Sequence, residues 1–172
     1  MRKSGIKIER ISSESLEKIE KYLNFDPDTF SKHKDRLEMQ ISSNCDYFIM
    51  YNKLLPVGHV FMNWNGIEES IIAQKPEKCP NLEDLFVIPK FRSQGLGSLM
   101  IKYCINLSRE KGFKKIGLGV AIENIKAQEL YESFNFFDFS ISLYKEIWYG
   151  KNKSGVKTGP FTSTNKYLIA NI

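Results

Sequence analysis

The sequence predicts an α/β fold in one domain that spans residues 1–172, and three observations support this prediction. Strand-like and helix-like segments alternate in the second half of the chain, which favours a mixed sheet. Residues 94–111 carry an apolar stripe with helical spacing, so a long amphipathic helix is expected directly after a strand. The length suits one domain, and a hydrophobic content of 42% allows a substantial core.

The first half of the chain predicts a strand, two helices and a hairpin. Ser13 can cap the first helix, and Asp26 followed by Pro27 has the form of a second helix start. His33 falls on the apolar face of that second helix and His59 falls inside a hairpin strand, so both are expected to be packed structural residues. In chain order these elements are a strand over 6–11, helices from Ser13 and from Asp26, hairpin strands over 46–51 and 57–64, and a loop over 66–80.

The second half predicts alternating strands and helices with clear end signals. Pro89 stops one strand, Gly112 ends the long helix, and Asn124 caps the next helix. The elements are a strand over 82–88, a helix over 94–111, a strand over 115–120, a helix from Asn124, a long strand over 136–148, a loop over 150–160 and a strand over 167–172. The whole chain therefore predicts about seven strands and about four helices.

Charge and cysteine content exclude several classes of function. The net charge is +5, from 25 Lys and Arg against 20 Asp and Glu, which is too mild to predict a nucleic-acid partner. There is no run of about 18 apolar residues, and residues 1–10 lack the apolar core of a signal peptide. A cytoplasmic location without a membrane partner is therefore expected. Cys45, Cys79 and Cys104 form no Cys-x-x-Cys pair, so no metal site is expected, and Cys104 is predicted to be a packed side chain rather than a nucleophile.

A glycine-containing segment links the 82–88 strand to the long helix. Gly95 and Gly97 let the backbone approach a ligand, and N–H groups at a helix start favour a phosphate, as does the guanidinium of Arg92. A Walker loop is excluded because no lysine follows Gly97, and a dinucleotide-binding loop is excluded because Met100 stands where its third glycine would be. The segment is then either an anion-binding loop of another kind or a turn that only starts the helix.

Two motifs in this region resemble those of the GNAT acetyltransferases. The first is Val87-x-Pro89 followed by Arg92-x-x-Gly95-x-Gly97 and a long amphipathic helix. The second is the segment 124–136, which is similar to the family's Asn-x-x-Ala-x-x-Leu-Tyr-x-x-x-Gly-Phe pattern, with Asn135 in place of the glycine. Asparagine also tolerates a left-handed helix end, so this departure is minor. The resemblance covers about residues 81–137.

The resemblance implies a GNAT fold, in which a mixed, mostly antiparallel central sheet is flanked by helices and two splayed central strands hold acyl-CoA. It implies acetyl-CoA as the co-substrate, with the pantetheine arm bound to backbone groups of one splayed strand and the pyrophosphate bound to N–H groups of the glycine loop. A homodimer is a common assembly in the family. The cofactor-binding residues implied in this way are Phe86, Val87, Arg92, Gln94, Gly95, Leu96, Gly97, Ser98 and Asn124.

The resemblance also implies direct attack of an amine on the acetyl carbonyl. Because a lysine-like amine has a pKa of about 10.4, a base or a chain of water molecules must remove a proton. Tyr131 matches the family position of the acid that protonates the leaving thiolate. Glu83 on the 82–88 strand is the predicted base. Asp84, which strand alternation places on the opposite face, is held in reserve, and Glu123 is a weaker candidate.

Three functions are open from the sequence. The first is acetylation of a small-molecule amine, which is expected for one stand-alone domain with no partner-binding tail. The second is acetylation of protein N-termini or lysines. The third is a non-catalytic acyl-CoA-binding sensor. The presence of Tyr131 and Glu83 speaks against the third function, because a binding module needs neither side chain.

Overall fold

Eight strands form one sheet in the part of the chain that the structure describes. The computed structural model describes residues 5–23, 32–68, 71–72, 74–139, 143–152, 154 and 156–172. The strands are β1 Ile6–Arg10, β2 Cys45–Asn52, β3 Leu55–Asn63, β4 Asn81–Val87, β5 Lys115–Ala121, β6 Phe137–Asp138, β7 Tyr144–Lys151 and β8 Lys157–Asn171. The helices are α1 Ser13–Leu23, α2 Lys32–Ser42, α3 Leu96–Glu110 and α4 Ile125–Glu132. The predicted α/β fold is confirmed, with one strand more than expected.

The sheet opens at its centre, between β4 and β5. The strands follow the order β1-β2-β3-β4-β5-β8-β6, and β7 pairs with β8. Each of these pairings is antiparallel except that of β4 with β5. The parallel pair is short, because only Asn81 and Leu82 of β4 are matched to residues of β5, namely Gly117 and Leu118. Beyond Leu82 the two strands diverge, as the predicted splayed pair requires.

Residues 136–148 do not form one strand as predicted. β6 and β7 both pair with β8, but the step from Asp138 to Tyr144 matches a much shorter step from Leu168 to Asn165 on β8. The chain between β6 and β7 therefore carries extra residues that interrupt the ladder. The alternation of side chains in the sequence does not reveal such an interruption, because it continues on both sides of it.

The predicted loop over 150–160 and the predicted last strand over 167–172 are also corrected. Lys151 pairs with Lys157, so the hairpin between β7 and β8 closes within a few residues. β8 begins at Lys157 and is 15 residues long. The turn-rich composition predicted a loop here, but cross-strand pairing overrides this weak local preference.

The predicted helix ends are confirmed. Gly112 has a left-handed backbone with φ of +85° just beyond α3, and Asn135 has φ of +60° beyond α4. At the start of α4, the Asn124 side chain accepts a hydrogen bond from the Ala127 N–H at 3.3 Å. The predicted helix start at Asp26–Pro27 lies outside the described residues.

Buried side chains of the sheet, α1 and α3 form the main core and hold α3 against β4 and β5. Cys104 in α3 is fully buried and burial raises the pKa of its thiol, in agreement with the predicted packing role. Across the described ranges, the helices are too short or too polar to cross a membrane. Because the core holds α3 against β4 and β5, the start of α3 is fixed beside the opening of the sheet.

Candidate active site

A cleft of about 580 Å³ lies beside the end of β4, where that strand has left β5. It is bounded by β4, by the glycine loop with the first turn of α3, and by α4, and we call it the loop cleft. Its lining residues are Leu85, Phe86, Val87, Arg92, Ser93, Gly95, Leu96, Gly97, Ser98, Asn124, Lys126, Ala127, Leu130 and Tyr131. Of the predicted site residues, Gln94 and Glu83 are the two that do not line it.

The glycine loop starts α3 with a left-handed residue. Gly95 is the N-cap of α3 and has φ of +74°, a conformation that glycine adopts without strain. In the described chain no side chain caps this helix, so its first N–H groups are left for another acceptor. A Cβ atom at Gly97 would contact only the Leu130 side chain across the cleft, at 3.4 Å. Gly97 therefore keeps the loop cleft open, while the positive φ belongs to Gly95.

Arg92 is held at the edge of the loop cleft. Its Nε donates a hydrogen bond to the Val87 carbonyl oxygen at 2.8 Å, and its guanidinium carbon lies 5.5 Å from the centroid of the Phe86 ring. Because the side chain is exposed, its remaining N–H groups can bind an anion from solvent. The Gln94 amide instead turns back and donates to the Lys90 carbonyl oxygen at 3.2 Å.

Tyr131 borders the loop cleft from α4. Its side chain is 8% exposed, and its ring centroid lies 5.8 Å from that of Phe136. Burial raises the pKa of the Tyr131 phenol to about 12, so the hydroxyl stays protonated at neutral pH. A neutral phenol can donate a proton or a hydrogen bond, which is what the predicted acid must do.

A second cavity, of about 610 Å³, contains Glu83. We call it the acidic cavity, because four carboxylates and two cations line it among the described residues: Glu68, Glu83, Asp84 and Glu146 with Lys32 and Arg36. Its aromatic lining residues are Phe61, Tyr144 and Trp148. β4 contributes residues 81–84 to this cavity and residues 85–87 to the loop cleft, so one strand borders both spaces.

A β-bulge in β4 overturns the prediction that Glu83 and Asp84 face opposite sides. Val60 of β3 faces two residues of β4, Asp84 and Leu85, instead of one. Asp84 takes up the irregularity with φ of +53°. Both carboxylates consequently line the acidic cavity, and the Arg36 guanidinium lies 3.9 Å from that of Glu83 and 4.0 Å from that of Asp84. Strand alternation fails here because the bulge inserts one residue.

Glu83 and Asp84 differ in their affinity for a proton. Burial raises the pKa of Glu83, although a hydrogen bond from Asn81 Nδ2 at 3.0 Å and the charge of Arg36 oppose this. Burial alone would also raise the pKa of Asp84, but interactions with His59 and with the cations Lys32 and Arg36 lower it, and Lys32 donates a hydrogen bond to its Oδ1 at 2.7 Å. Glu83 is therefore the stronger base of the two, since Asp84 is already paired with a cation.

A buried cluster of rings lies behind the bulge. His59 Nδ1 donates a hydrogen bond to the backbone oxygen of Asp84 at 2.9 Å, and its ring stacks on Phe86 at a centroid distance of 5.3 Å. His33 Nδ1 lies 2.9 Å from the Tyr47 hydroxyl. Both histidines are 1% exposed, which confirms that they are packed residues.

Sequence reasoning missed the three residues of the acidic cavity that, besides Asp84, shift the pKa of Glu83. Asn81 stands two positions before Glu83 on the same strand, and this spacing could have indicated a side chain on the same face. Arg36 and Glu146 come from α2 and β7, so only the fold brings them to Glu83. Glu123 lies outside the lining of both cavities. Within the described ranges, no group of three or more His, Cys, Asp or Glu residues is placed to hold a metal ion.

Two solved structures share this fold over nearly the whole chain. An N-acetyltransferase from Staphylococcus aureus Mu50 superposes with a TM-score of 0.68 and 14% identity, covering 98% of this chain and 99% of that one. A GNAT family acetyltransferase from Elizabethkingia anophelis with acetyl-CoA bound has a TM-score of 0.62 and 16% identity, covering 99% and 100%. At these identities the likeness establishes the fold alone.

Sequence comparison establishes the family. Thialysine N-epsilon-acetyltransferase from Bos taurus is 36% identical over 59 residues, which are 34% of this chain and 35% of that protein. The chain spans about a third of the length of the curated relatives it matches. The sequence profile of the acetyltransferase (GNAT) family matches residues 14–136. The chain belongs to the acetyltransferase (GNAT) family.

Proposed function

We propose that the chain is an N-acetyltransferase that transfers the acetyl group of acetyl-CoA to a primary amine of a small molecule. The observation that carries this proposal is that β4 borders two cavities of different chemistry. The loop cleft offers uncapped helix N–H groups and Arg92, and the acidic cavity offers carboxylates. An anionic donor and a cationic acceptor can therefore approach the same strand from two sides.

In this proposal acetyl-CoA occupies the loop cleft. Its pyrophosphate binds the N–H groups of the loop between Gln94 and Ser98, and Arg92 adds a positive charge to the same site. The pantetheine arm lies along β4 at Phe86 and Val87, with Asn124 on the other side. The divergence of β4 from β5 supports this placement, because it leaves that edge of β4 unpaired beyond Leu82.

The acceptor amine occupies the acidic cavity. Amines of this kind are mostly protonated in water, so a space with more carboxylates than cations favours their entry. Tyr144, Glu146 and Trp148 occupy every second position of β7, so they lie on one face of the strand and line the cavity together. A carboxylate between two aromatic rings suits an ammonium group on an alkyl chain. The bovine relative is named for acetylation of thialysine, a name that agrees with a small amine as the acceptor.

Glu83 and Tyr131 each carry out one part of the proton transfer. Glu83 removes a proton from the bound ammonium, and the free amine attacks the acetyl carbonyl carbon. The carbon–sulfur bond breaks as the new carbon–nitrogen bond forms, and the thiolate of CoA takes a proton from the Tyr131 hydroxyl. The nitrogen of the new amide then loses its second proton, which restores the Tyr131 hydroxyl, and Glu83 releases the first proton to solvent. The raised pKa of Glu83 and the protonated state of Tyr131 both support these assignments.

The domain organisation belongs to the same proposal. One sheet includes the strands from β1 to β8, which supports a single domain over the 172 residues.

A thiol-release assay with acetyl-CoA tests the proposal. The amine panel should contain polyamines, aminoglycosides, amino acids and N-terminal peptides, and at least one small amine should be turned over. Glu83→Gln should lower kcat/KM by about 10²-fold or more, because general base catalysis is lost. Glu17→Gln, at an exposed position of α1, is the matched control and should retain full activity. Turnover of peptides alone, or full activity in Glu83→Gln, would contradict the proposal.

A further inference from the structure

A chain of two hydrogen bonds, the first buried and the second partly buried, reaches Glu83 from the far side of β5. The Tyr167 hydroxyl, on β8, donates to Asn81 Oδ1 at 3.1 Å. The Asn81 Nδ2 group in turn donates to Glu83 Oε1 at 3.0 Å. Asn81 is 5% exposed and Tyr167 is 0% exposed, so these two groups are shielded from water. The Glu83 carboxylate is thus attached to the interior of the sheet rather than only to solvent.

The neighbouring strand is shaped to let this chain through. In the sheet β5 lies between β4 and β8, and Gly117 of β5 is the residue opposite Asn81. A Cβ atom at Gly117 would collide with the Tyr167 hydroxyl and would lie 2.6 Å from its Cζ atom. Glycine at this position therefore allows the phenol to cross β5 and reach β4. The crossing lies at Asn81, where β4 and β5 are still paired, just before they diverge.

The two donors have one consistent direction. An ionised Glu83 can only accept, so the amide nitrogen of Asn81 must face it and the amide oxygen must face Tyr167. Burial raises the pKa of Tyr167, so its hydroxyl keeps its proton and remains a donor. The phenol therefore prevents the amide from rotating by half a turn, which would point an oxygen at the carboxylate.

We propose that Asn81 and Tyr167 are positioning residues for Glu83. They fix the orientation of this base and stabilise its ionised form. The hydrogen bond between them crosses β5 at Gly117, where the missing side chain leaves room for the phenol. This inference rests on the proposed function, in which Glu83 is the base. Neither side chain touches the reacting atoms. Their role is to hold one carboxylate oxygen of Glu83, so that the other oxygen is directed to the amine.

Other groups also act on Glu83, and the test must separate them. Arg36 of α2 lies 3.9 Å away and favours the ionised carboxylate. Asp84 and Glu146 oppose ionisation by charge repulsion. In the described chain, the titratable and charged groups that act on Glu83 or line its cavity are Lys32 and Arg36 from α2, Cys45 from β2, Glu68 beyond β3, Asp84 from β4, Tyr144 and Glu146 from β7, and Tyr167 from β8. Removal of Asn81 or of the Tyr167 hydroxyl leaves the net charge near neutral pH unchanged, whereas removal of Arg36, Asp84 or Glu146 changes it.

The experiment is a carbon-13 NMR titration of the Glu83 side-chain carboxyl in the intact protein, with Glu83→Gln used to assign the signal. Asn81→Ala should raise the pKa of Glu83 by about one unit, because a hydrogen bond to the charged form is lost. Tyr167→Phe should raise it by less, since the amide remains but is no longer held. Tyr47→Phe removes a different fully buried hydroxyl and should leave the Glu83 titration unchanged.

Activity profiles separate this inference from the proposed function. The acidic limb of kcat/KM should move to higher pH in Asn81→Ala by the same amount as the NMR pKa, while acetyl-CoA affinity stays the same. Unchanged Glu83 titrations in folded Asn81→Ala and Tyr167→Phe would overturn the positioning role. A shifted titration without turnover of any amine would support the positioning role and contradict the proposed function instead. Melting temperatures of both variants confirm that the folded state is being measured.

Discussion

The buried His59 should make the stability of the fold strongly dependent on pH. His59 is 1% exposed, and its Nδ1 is committed to the Asp84 backbone oxygen. Burial lowers the pKa of His59 from 6.5 to about 3, so the ring is neutral in the folded protein. In the unfolded chain the same ring takes up a proton near pH 6.5. The unfolded state therefore binds the proton first, and stability falls as the pH drops from about 6.5 towards about 3.

The magnitude follows from proton linkage. One proton bound only by the unfolded state lowers the free energy of unfolding by about 1.4 kcal/mol per pH unit, or about 5 kcal/mol over the whole window. Burial also lowers the pKa of His33, so this second histidine acts with the same sign. The sequence has 2 histidines, and ordinary carboxylates titrate nearer pH 4. At about pH 6.5 the unfolded His59 ring is only half protonated, so the slope starts near half of its full value. Towards about pH 5 the slope should approach about 1.4 kcal/mol per pH unit from His59, to which His33 adds.

Urea unfolding at a series of pH values measures this slope. His59→Asn is the matched variant, because an asparagine amide can still donate to the Asp84 backbone oxygen but cannot take up a proton. Towards about pH 5 its slope should be smaller than that of the parent by about 1.4 kcal/mol per pH unit. A free energy of unfolding in the parent that stays level from about pH 7 to about pH 5 would refute the argument, since it would mean that His59 is protonated in the folded state.

Two further predictions concern the loop cleft. Gly97→Val should abolish acetyl-CoA binding in a thermal-shift assay without loss of the fold, because a side chain at this position projects towards Leu130 and fills the cleft. Gly97→Ala should bind acetyl-CoA more weakly than the parent. Its melting temperature without ligand should be no lower than that of the parent, since alanine is the better helix former. Normal binding by the valine variant would mean that the glycine loop only starts the helix. Tyr131→Phe should lower kcat and kcat/KM together by roughly 10- to 1000-fold, with acetyl-CoA affinity unchanged, because only the acid is removed while contact with Phe136 is retained. An unchanged kcat, measured where chemistry is rate-limiting, would exclude Tyr131 as the acid.

The parts of the site that sequence reasoning located are those fixed by local geometry. The glycine loop and the Asn124 cap depend on residues within one turn of each other, so their spacing alone indicates a helix start. The acidic cavity depends instead on α2, β4 and β7 meeting in space. Arg36 and Glu146 have no local pattern that points to Glu83, and the sequence could not reveal that they share a cavity with it.

The bulge in β4 explains why one strand serves two cavities. Without it, alternation would turn Glu83 and Asp84 to opposite faces, and only one of them could line the acidic cavity. The extra residue opposite Val60 instead brings both carboxylates into that cavity, and from Leu85 onwards the strand borders the loop cleft. A backbone with φ of +53° at a non-glycine residue is unfavourable by about 1–3 kcal/mol, so the surrounding contacts must stabilise it. The His59 hydrogen bond to the Asp84 oxygen and the Lys32 bond to its carboxylate do so, which ties the packed interior behind β4 to the geometry of the proposed site.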